Sequence, residues 1–178
     1  MQKAIIFHGT GCTPDMFWYG WLAGRLKARG YQVEVPHYPD INREDIKTFL
    51  PKVLAAHQID ENTVLVGHSS GGTLILSIAE QLAFKQGILV AGFSEPYSGI
   101  EKDPILQGSY DWEKIKEHCP DFVFVNSVDD PWGCDDKQGR TMFDHLGGTQ
   151  IIRMEGHFGS EGAKQEFPEF PLLERLVA

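Results

Sequence analysis

Six short hydrophobic runs are spaced along the chain, and a glycine-rich or polar turn follows most of them. They cover residues 3–7, 31–35, 63–67, 87–93, 121–126 and 149–154. Most are continuous rather than alternating, which is typical of strands that helices cover on both faces. The pattern therefore predicts six strands in a mostly parallel sheet.

Between these runs, hydrophobic residues recur at the spacing of an amphipathic helix. Three helical stripes are predicted: Phe17, Trp21, Leu22 and Leu26; Ile46, Phe49, Leu50, Val53 and Leu54; and Leu74, Ile75, Ile78, Ala79 and Leu82. Gly30 is suited to end the first helix, and Asn42 followed by Asp45 is suited to begin the second. Pro51 predicts a kink in the second helix, or a start near this residue.

Strand and helix alternate along the chain, which predicts one α/β domain over residues 1–178, with helices on both faces of the sheet. A chain of 178 residues that is 42% hydrophobic is suited to a single core. Residues 95–118 break the alternation, since they hold two prolines and only a short helical pattern at 112–118. We expect this segment to be a lid-like excursion over a site.

Composition and charge exclude several classes of protein. A net charge of −9 opposes nucleic-acid binding, and three cysteines without CxxC spacing predict neither a disulfide framework nor a zinc site. The first apolar run is too short for a signal peptide, and no run is long enough to span a bilayer. A cytoplasmic protein that does not contact membranes is expected.

Residues 64–72, VLVGHSSGG, combine a buried strand with a turn of small residues. Gly67, Ser69 and Gly71 match the pattern G-x-S-x-G, which lies between a strand and a helix in serine hydrolases. The sharp turn exposes the central serine and brings neighbouring backbone close, so both flanking positions need glycine. The pattern therefore predicts Ser69 as a nucleophile, and Ser70 as a donor of its backbone amide.

A serine nucleophile needs a base and an acid, which follow later strands in the order Ser, acid, His in this type of fold. His157 follows the sixth predicted strand, in the expected position for the base. Asp129 and Asp130 follow the fifth strand, and Glu95 follows the fourth. The strand ends thus favour His157 and leave the acid open among three carboxylates.

The loop after the first strand, HGTG, is expected to lie beside the serine turn. The amide of Thr10 is predicted to complete an oxyanion hole with that of Ser70. His8 is interpreted as shaping this loop, and His68 as pointing into packing. Pro14 stands where a dinucleotide loop needs its third glycine, and neither a phosphate loop nor an HExxH motif occurs, so no cofactor or metal is expected.

Aromatic residues near these loops are candidates for the mouth of a substrate pocket. Phe17 and Trp18 follow the first loop, and Trp132 follows the two aspartates. Tyr97 and Trp112 lie in the excursion. A short lid and an aromatic rim favour small or medium acyl groups.

Over nearly its whole length the chain resembles small serine hydrolases of the α/β-hydrolase superfamily, typified by the retinoblastoma-binding protein 9 family. The shared stretches are GHSSG, WYGWL at 18–22, DWEKIKEHCP at 111–120, DDP at 129–131 and GHF at 156–158. The resemblance implies a three-layer fold with a six-stranded parallel sheet in the order 2-1-3-4-5-6. It also implies a triad of Ser69, Asp130 and His157. The chain lacks an L-x-C-x-E motif, so retinoblastoma-type binding is not carried over.

These residues predict a serine hydrolase that cleaves small or medium acyl esters or amides through an acyl-enzyme. Acyl transfer to an acceptor other than water would use the same residues. The alternative is a hydrolase-like module that binds a protein partner and turns over little.

Overall fold

One parallel sheet organises the chain in the computed structural model, which describes residues 1–96 and 103–178. Its strand order is β2-β1-β3-β4-β5-β6, and every neighbouring pair is parallel. The strands are β1 (Lys3–Phe7), β2 (Gln32–Glu34), β3 (Thr63–His68), β4 (Gln86–Val90), β5 (Phe122–Ser127) and β6 (Thr149–Arg153). The predicted strand order and parallel pairing are confirmed.

The described residues form six helices that cover both faces of the sheet. They are α1 (Tyr19–Ala28), α2 (Ile46–Ala56), α3 (Ser70–Ala79), α4 (Trp112–His118), α5 (Asp136–Leu146) and α6 (Pro171–Leu176). Helix α1 packs against α6, whereas α2, α3, α4 and α5 contact one another in that order. Since β2 and β3 flank β1 on opposite sides, right-handed crossovers in opposite directions place these two groups on opposite faces.

The core is centred on three strands and one helix. Strands β3, β4 and β5 are buried at every position, and so are all ten residues of α3. This explains why their sequences are continuous apolar runs rather than alternating patterns. Within the described part of the chain, no helix combines the length and the apolar composition that a bilayer crossing requires.

The end of α1 is as predicted, whereas the start of α2 differs from the prediction. Gly30 has a φ of 88° directly after the last turn of α1, as predicted for a helix end. Helix α2 is capped by Asp45, whose side chain accepts a hydrogen bond from the Lys47 amide, and not by Asn42. Asn42 has a φ of 58°, and its side chain bonds to a distant segment instead. Pro51 lies inside α2, which begins five residues earlier at Ile46.

The predicted excursion at 95–118 is described only in part. Its helical pattern at 112–118 is confirmed as α4. Residues 97–102, with Tyr97, lie outside the described residues.

Candidate active site

The site lies where the strand order reverses. β1 and β3 are neighbours, but their connections lead to opposite sides of the sheet, and such a point leaves a crevice at the carboxyl ends of the strands. The loop after β1 and the turn after β3 meet there, since a Cβ on Gly9 would lie 3.2 Å from that of Ser69. The sequence order of the strands therefore brings Thr10, Ser69 and Ser70 together.

Ser69 has the strained backbone that is expected of a nucleophile turn. Its φ is 53° and its ψ is −122°, a region of backbone angles that residues other than glycine rarely adopt. A Cβ on Gly67 would fall within 3.0 Å of the Gly71 backbone, and one on Gly71 within 3.0 Å of the Phe7 and His8 carbonyls. Both glycines of the pattern are thus needed for close approach of backbone, as the sequence analysis expected.

Replacing Gly71 by alanine should destabilise the fold, because the new methyl group meets backbone carbonyls of the first loop that cannot rotate away. We expect a loss of about 3 kcal/mol or more in the free energy of unfolding. The matched control is Gly24→Ala on the exposed side of α1, where nothing lies within 4 Å of the added Cβ. That change should stabilise the protein by about 0.5–1 kcal/mol, since alanine favours helix. Urea unfolding gives the change in the free energy of unfolding for both variants. Equal changes in the two would refute the prediction.

Asp130 and His157 form a buried pair on two neighbouring loops. Asp130 Oδ2 lies 2.7 Å from His157 Nδ1, and the Asp130 and His157 side chains are 0% and 8% exposed. Asp130 Oδ1 accepts from the Trp132 amide at 2.8 Å, which fixes the carboxylate. Because a carboxylate only accepts, His157 donates from Nδ1, and in the neutral imidazole Nε2 is then the acceptor. No hydrogen bond joins His157 to Ser69, although both line the same cavity. Contacts of this kind are often loose without substrate.

The other candidate acids lie in different environments. Asp129 is exposed, and its Oδ1 accepts from the Gly156 amide at 3.1 Å. Glu95 is exposed on the loop after β4, and its backbone amide donates to Gln138. Of the three carboxylates, only Asp130 contacts His157.

Two side chains hold the His157 loop, and one of them, Gln165, was not singled out by the sequence analysis. Gln165 Oε1 accepts from the amides of His157 and Gly159 at 3.0 and 3.2 Å, and its Nε2 donates to the Glu155 carbonyl. Trp18 Nε1 donates to the Phe158 carbonyl at 3.0 Å. Gln165 has no sequence signal, since a lone glutamine after a loop is common.

His68 links this loop to the serine turn. Its Nε2 donates to the His157 carbonyl at 2.7 Å, so its Nδ1 accepts from the Tyr19 hydroxyl at 2.5 Å. The Tyr19 oxygen also accepts from the Gly9 amide at 3.4 Å. Burial, with a smaller effect of the His157 imidazole, lowers the pKa of His68 from 6.5 to about 3. The neutral ring therefore connects the loops after β1, β3 and β6.

This buried histidine should make stability depend on pH. The unfolded chain protonates His68 below pH 6.5, whereas the folded chain does so only near 3, so stability falls as the pH drops through that window. The contribution approaches about 1.4 kcal/mol per pH unit below the upper limit. Urea unfolding at pH 7 and 5 should show a smaller acid loss in His68→Gln than in the unmodified protein. An equal loss in both would contradict the prediction.

A cavity of about 370 Å³ opens beside these groups. The residues that line it are Gly9, Thr10, Gly11, Cys12, Asn42, His68, Ser69, Asp103, Trp132, His157, Gly159, Ser160, Glu161 and Gly162. Trp132 is 44% exposed and its Nε1 donates to Ser160 Oγ at 3.0 Å, so its ring forms a wall. Thr10 Oγ1 donates to Ser70 Oγ at 3.0 Å, which joins the first loop to the start of α3.

Three other aromatic residues predicted at the mouth, all within the described part of the chain, do not line this cavity. Trp18 is fully buried among core aromatic residues, where its indole donates a hydrogen bond to the loop that carries His157. Phe17 is half-buried, with its ring edge-on to His68 and beside Gly159. Trp112 stacks on His145, between α4 and α5. Trp132 is thus the one predicted aromatic, among those described, that reaches the cavity.

A thiol lines the cavity, and a group of possible metal ligands lies at the Asp130–His157 pair. Burial raises the pKa of the Cys12 thiol, which disfavours the nucleophilic thiolate. Ligand atoms of Asp130, Cys134 and His157 lie within 4.8 Å of one another and could hold a metal ion. A metal at that position would replace the hydrogen bond between Asp130 and His157.

Two known proteins are similar to most of this chain. YdeN of Bacillus subtilis is 32% identical over 135 residues, covering 72% of this chain and 71% of YdeN. Its crystal structure has a TM-score of 0.87 at 26% identity and covers 99% of this chain and 97% of that one. The serine hydrolase RBBP9 of Rattus norvegicus is 31% identical over 140 residues, 73% of each chain.

A further relative is the polyneuridine aldehyde esterase of Rauvolfia serpentina, 31% identical over 149 residues, which cover 78% of this chain and 54% of the esterase. The family model described as serine hydrolase matches residues 4–175, almost the entire chain. The fold, the turn at Ser69 and these matches lead to one conclusion: the chain belongs to the serine hydrolase family.

Proposed function

We propose that this hydrolase cleaves small or medium acyl esters or amides through a triad of Ser69, His157 and Asp130. The observation that carries the proposal is the buried hydrogen bond between Asp130 and His157, at the cavity that the strained Ser69 also lines. It combines the three groups that nucleophilic acyl transfer requires.

The protonation states support the assigned roles. Ser69 Oγ bonds to the acyl carbon while its proton passes to Nε2 of His157, the nitrogen that does not face Asp130. Asp130 keeps Nδ1 protonated and stabilises the imidazolium that forms. His157 then protonates the leaving alcohol or amine, and water releases the acid from Ser69 by the same steps in reverse.

Two backbone amides are suited to bind the oxyanion. Ser70 is the first residue of α3, where the backbone amides have no partner within the helix and form the positive end of its dipole. Thr10 lies on the facing loop, held to Ser70 by the bond between their hydroxyls. Each such donor contributes a factor of about 10² to 10³ in rate.

The size of the cavity supports the substrate class. About 370 Å³ is at the lower end of the range for small-molecule pockets, about 300 to 1,000 Å³. The name of the Rauvolfia relative indicates an esterase, in agreement with ester substrates. The alternative, a partner-binding module with little turnover, would leave the pairing of His157 with Asp130 without a role.

Release of naphthol from naphthyl acetate, propanoate and longer acyl esters tests the proposal. We expect turnover that is fastest for short acyl groups, and complete inactivation by one equivalent of a fluorophosphonate. A rate no higher than that of buffer, with folded protein and every ester, would overturn it in favour of the binding module.

A further inference from the structure

One buried carboxylate at the cavity has no role in the proposed triad. Asp103 lines the cavity and is 8% exposed, although acidic side chains are seldom buried without partners. Its Oδ1 accepts from Asn42 Nδ2 at 2.8 Å, whereas its Oδ2 is buried and has no hydrogen-bond partner. An unpaired buried carboxylate oxygen is costly, so a donor from a ligand would stabilise it.

Asn42 holds this carboxylate in place. The Asn42 backbone is left-handed, with a φ of 58°, and its Oδ1 accepts from the Ile105 amide at 3.1 Å. The same side chain therefore bonds both to Asp103 and to the backbone two residues further on. This explains why Asn42 does not cap α2, and it pre-orients Asp103 rather than neutralising it.

The charge around the cavity favours a cation over a neutral donor. Glu161 lines the same cavity, and among the described residues no lysine or arginine does. One guanidinium nitrogen of the exposed Arg43 lies near Gly11, outside the lining. The chain as a whole carries a net charge of −9, which raises the local concentration of cations.

We propose that Asp103 is a specificity-determining residue that binds an ammonium group of the substrate, so that the enzyme prefers esters and amides of amine-bearing compounds. This inference rests on the proposed hydrolase function, whose chemistry it does not alter. The ammonium pairs with the Asp103 carboxylate, which Asn42 holds through Oδ1. A charge-assisted hydrogen bond of this kind corresponds to about a 10- to 100-fold change in affinity.

Three naphthyl esters of one acyl skeleton test the proposal: those of L-alanine, L-lactate and propanoate, which carry an ammonium, a hydroxyl or a hydrogen. The unmodified enzyme should favour the alanine ester over propanoate by at least about tenfold in kcat/KM, mostly through KM. Asp103→Asn keeps the bond to Asn42 and should remove that preference. The control Asp144→Asn, an exposed position on α5 with the same change in charge, should keep it.

Inhibition of the unmodified enzyme covers the case in which Asp103→Asn fails to fold, or the ammonium belongs to the leaving group. Propylammonium should inhibit hydrolysis of naphthyl propanoate competitively, and propanol at the same concentration should not. The inference is overturned if the propanoate ester is hydrolysed but the alanine ester is not preferred over it and propylammonium does not inhibit more than propanol. It is also overturned if the lactate ester is preferred over propanoate as strongly as the alanine ester is. Absence of turnover with all three esters would instead contradict the proposed function.

Discussion

The Ser69→Ala variant should hydrolyse a naphthyl ester about 10⁶-fold more slowly than the unmodified enzyme. Without Oγ there is no covalent intermediate, and His157 has no hydroxyl to deprotonate. The substitution also places a smaller side chain at a φ of 53°, so the strained turn should persist. Initial rates at saturating ester, with circular dichroism to verify folding, give the comparison.

Ser70→Ala is the matched control, because the two serines are adjacent and only one is proposed to react. The backbone amide of Ser70 remains, while the hydrogen bond from Thr10 to its hydroxyl is lost. We expect a rate within about tenfold of the unmodified enzyme, less than the loss of one oxyanion donor. A rate loss in Ser70→Ala as large as that in Ser69→Ala would contradict the assignment of the nucleophile.

The Asp130→Asn variant should lose about 10⁴-fold in kcat with little change in KM. An amide at this position can present its NH₂ group to Nδ1 of His157, which must then accept. The imidazole proton is then on Nε2, so this nitrogen can no longer accept the proton of Ser69. The environment that makes the effect large is the full burial of the Asp130 side chain, 2.7 Å from Nδ1. Steady-state kinetics with one ester measures both constants.

Asp129→Asn provides the comparison for this position. Its Oδ1 bonds only to the Gly156 amide, and asparagine keeps that acceptor. We expect less than about a tenfold effect, and the same for Glu95→Gln, whose carboxylate is exposed. Nearly full activity in Asp130→Asn, or a comparable loss in Asp129→Asn, would assign the acid elsewhere.

Much of the fold could be predicted because its physical signals are local. The central strands are buried on both faces, so each appears as an unbroken apolar run, and their order follows from the resemblance and from right-handed crossovers. Helix α5 gave no comparable stripe, since only Gln138, Gly139, Met142 and Leu146 of its residues are buried. A helix whose buried face includes a glutamine and a glycine has few apolar residues to form a stripe.

Some residues of the candidate site could also be predicted from the sequence, and others could not. Ser69 and His157 could be proposed from sequence because each follows a strand whose end is predictable, whereas the strand ends left three candidate acids and only the resemblance selected Asp130. Trp18 could not be placed, because an indole after a loop fits the core and the mouth equally well, and burial decides between them.

Asp103 and Gln165 had no signal in the sequence. Asp103 contacts a residue that is 61 positions away in the sequence, and Gln165 contacts one that is 8 positions away. Hydrophobic periodicity does not detect such contacts.

The central claim is that Ser69, and not its neighbour, forms the covalent intermediate. Labelling the folded protein with a fluorophosphonate, followed by peptide mapping in a mass spectrometer, tests this most directly. The account predicts a single adduct on Ser69, formed in proportion to the loss of ester hydrolysis and absent from Ser69→Ala. An adduct on Ser70 or Cys12, or hydrolysis that continues while Ser69 is fully labelled, would contradict it.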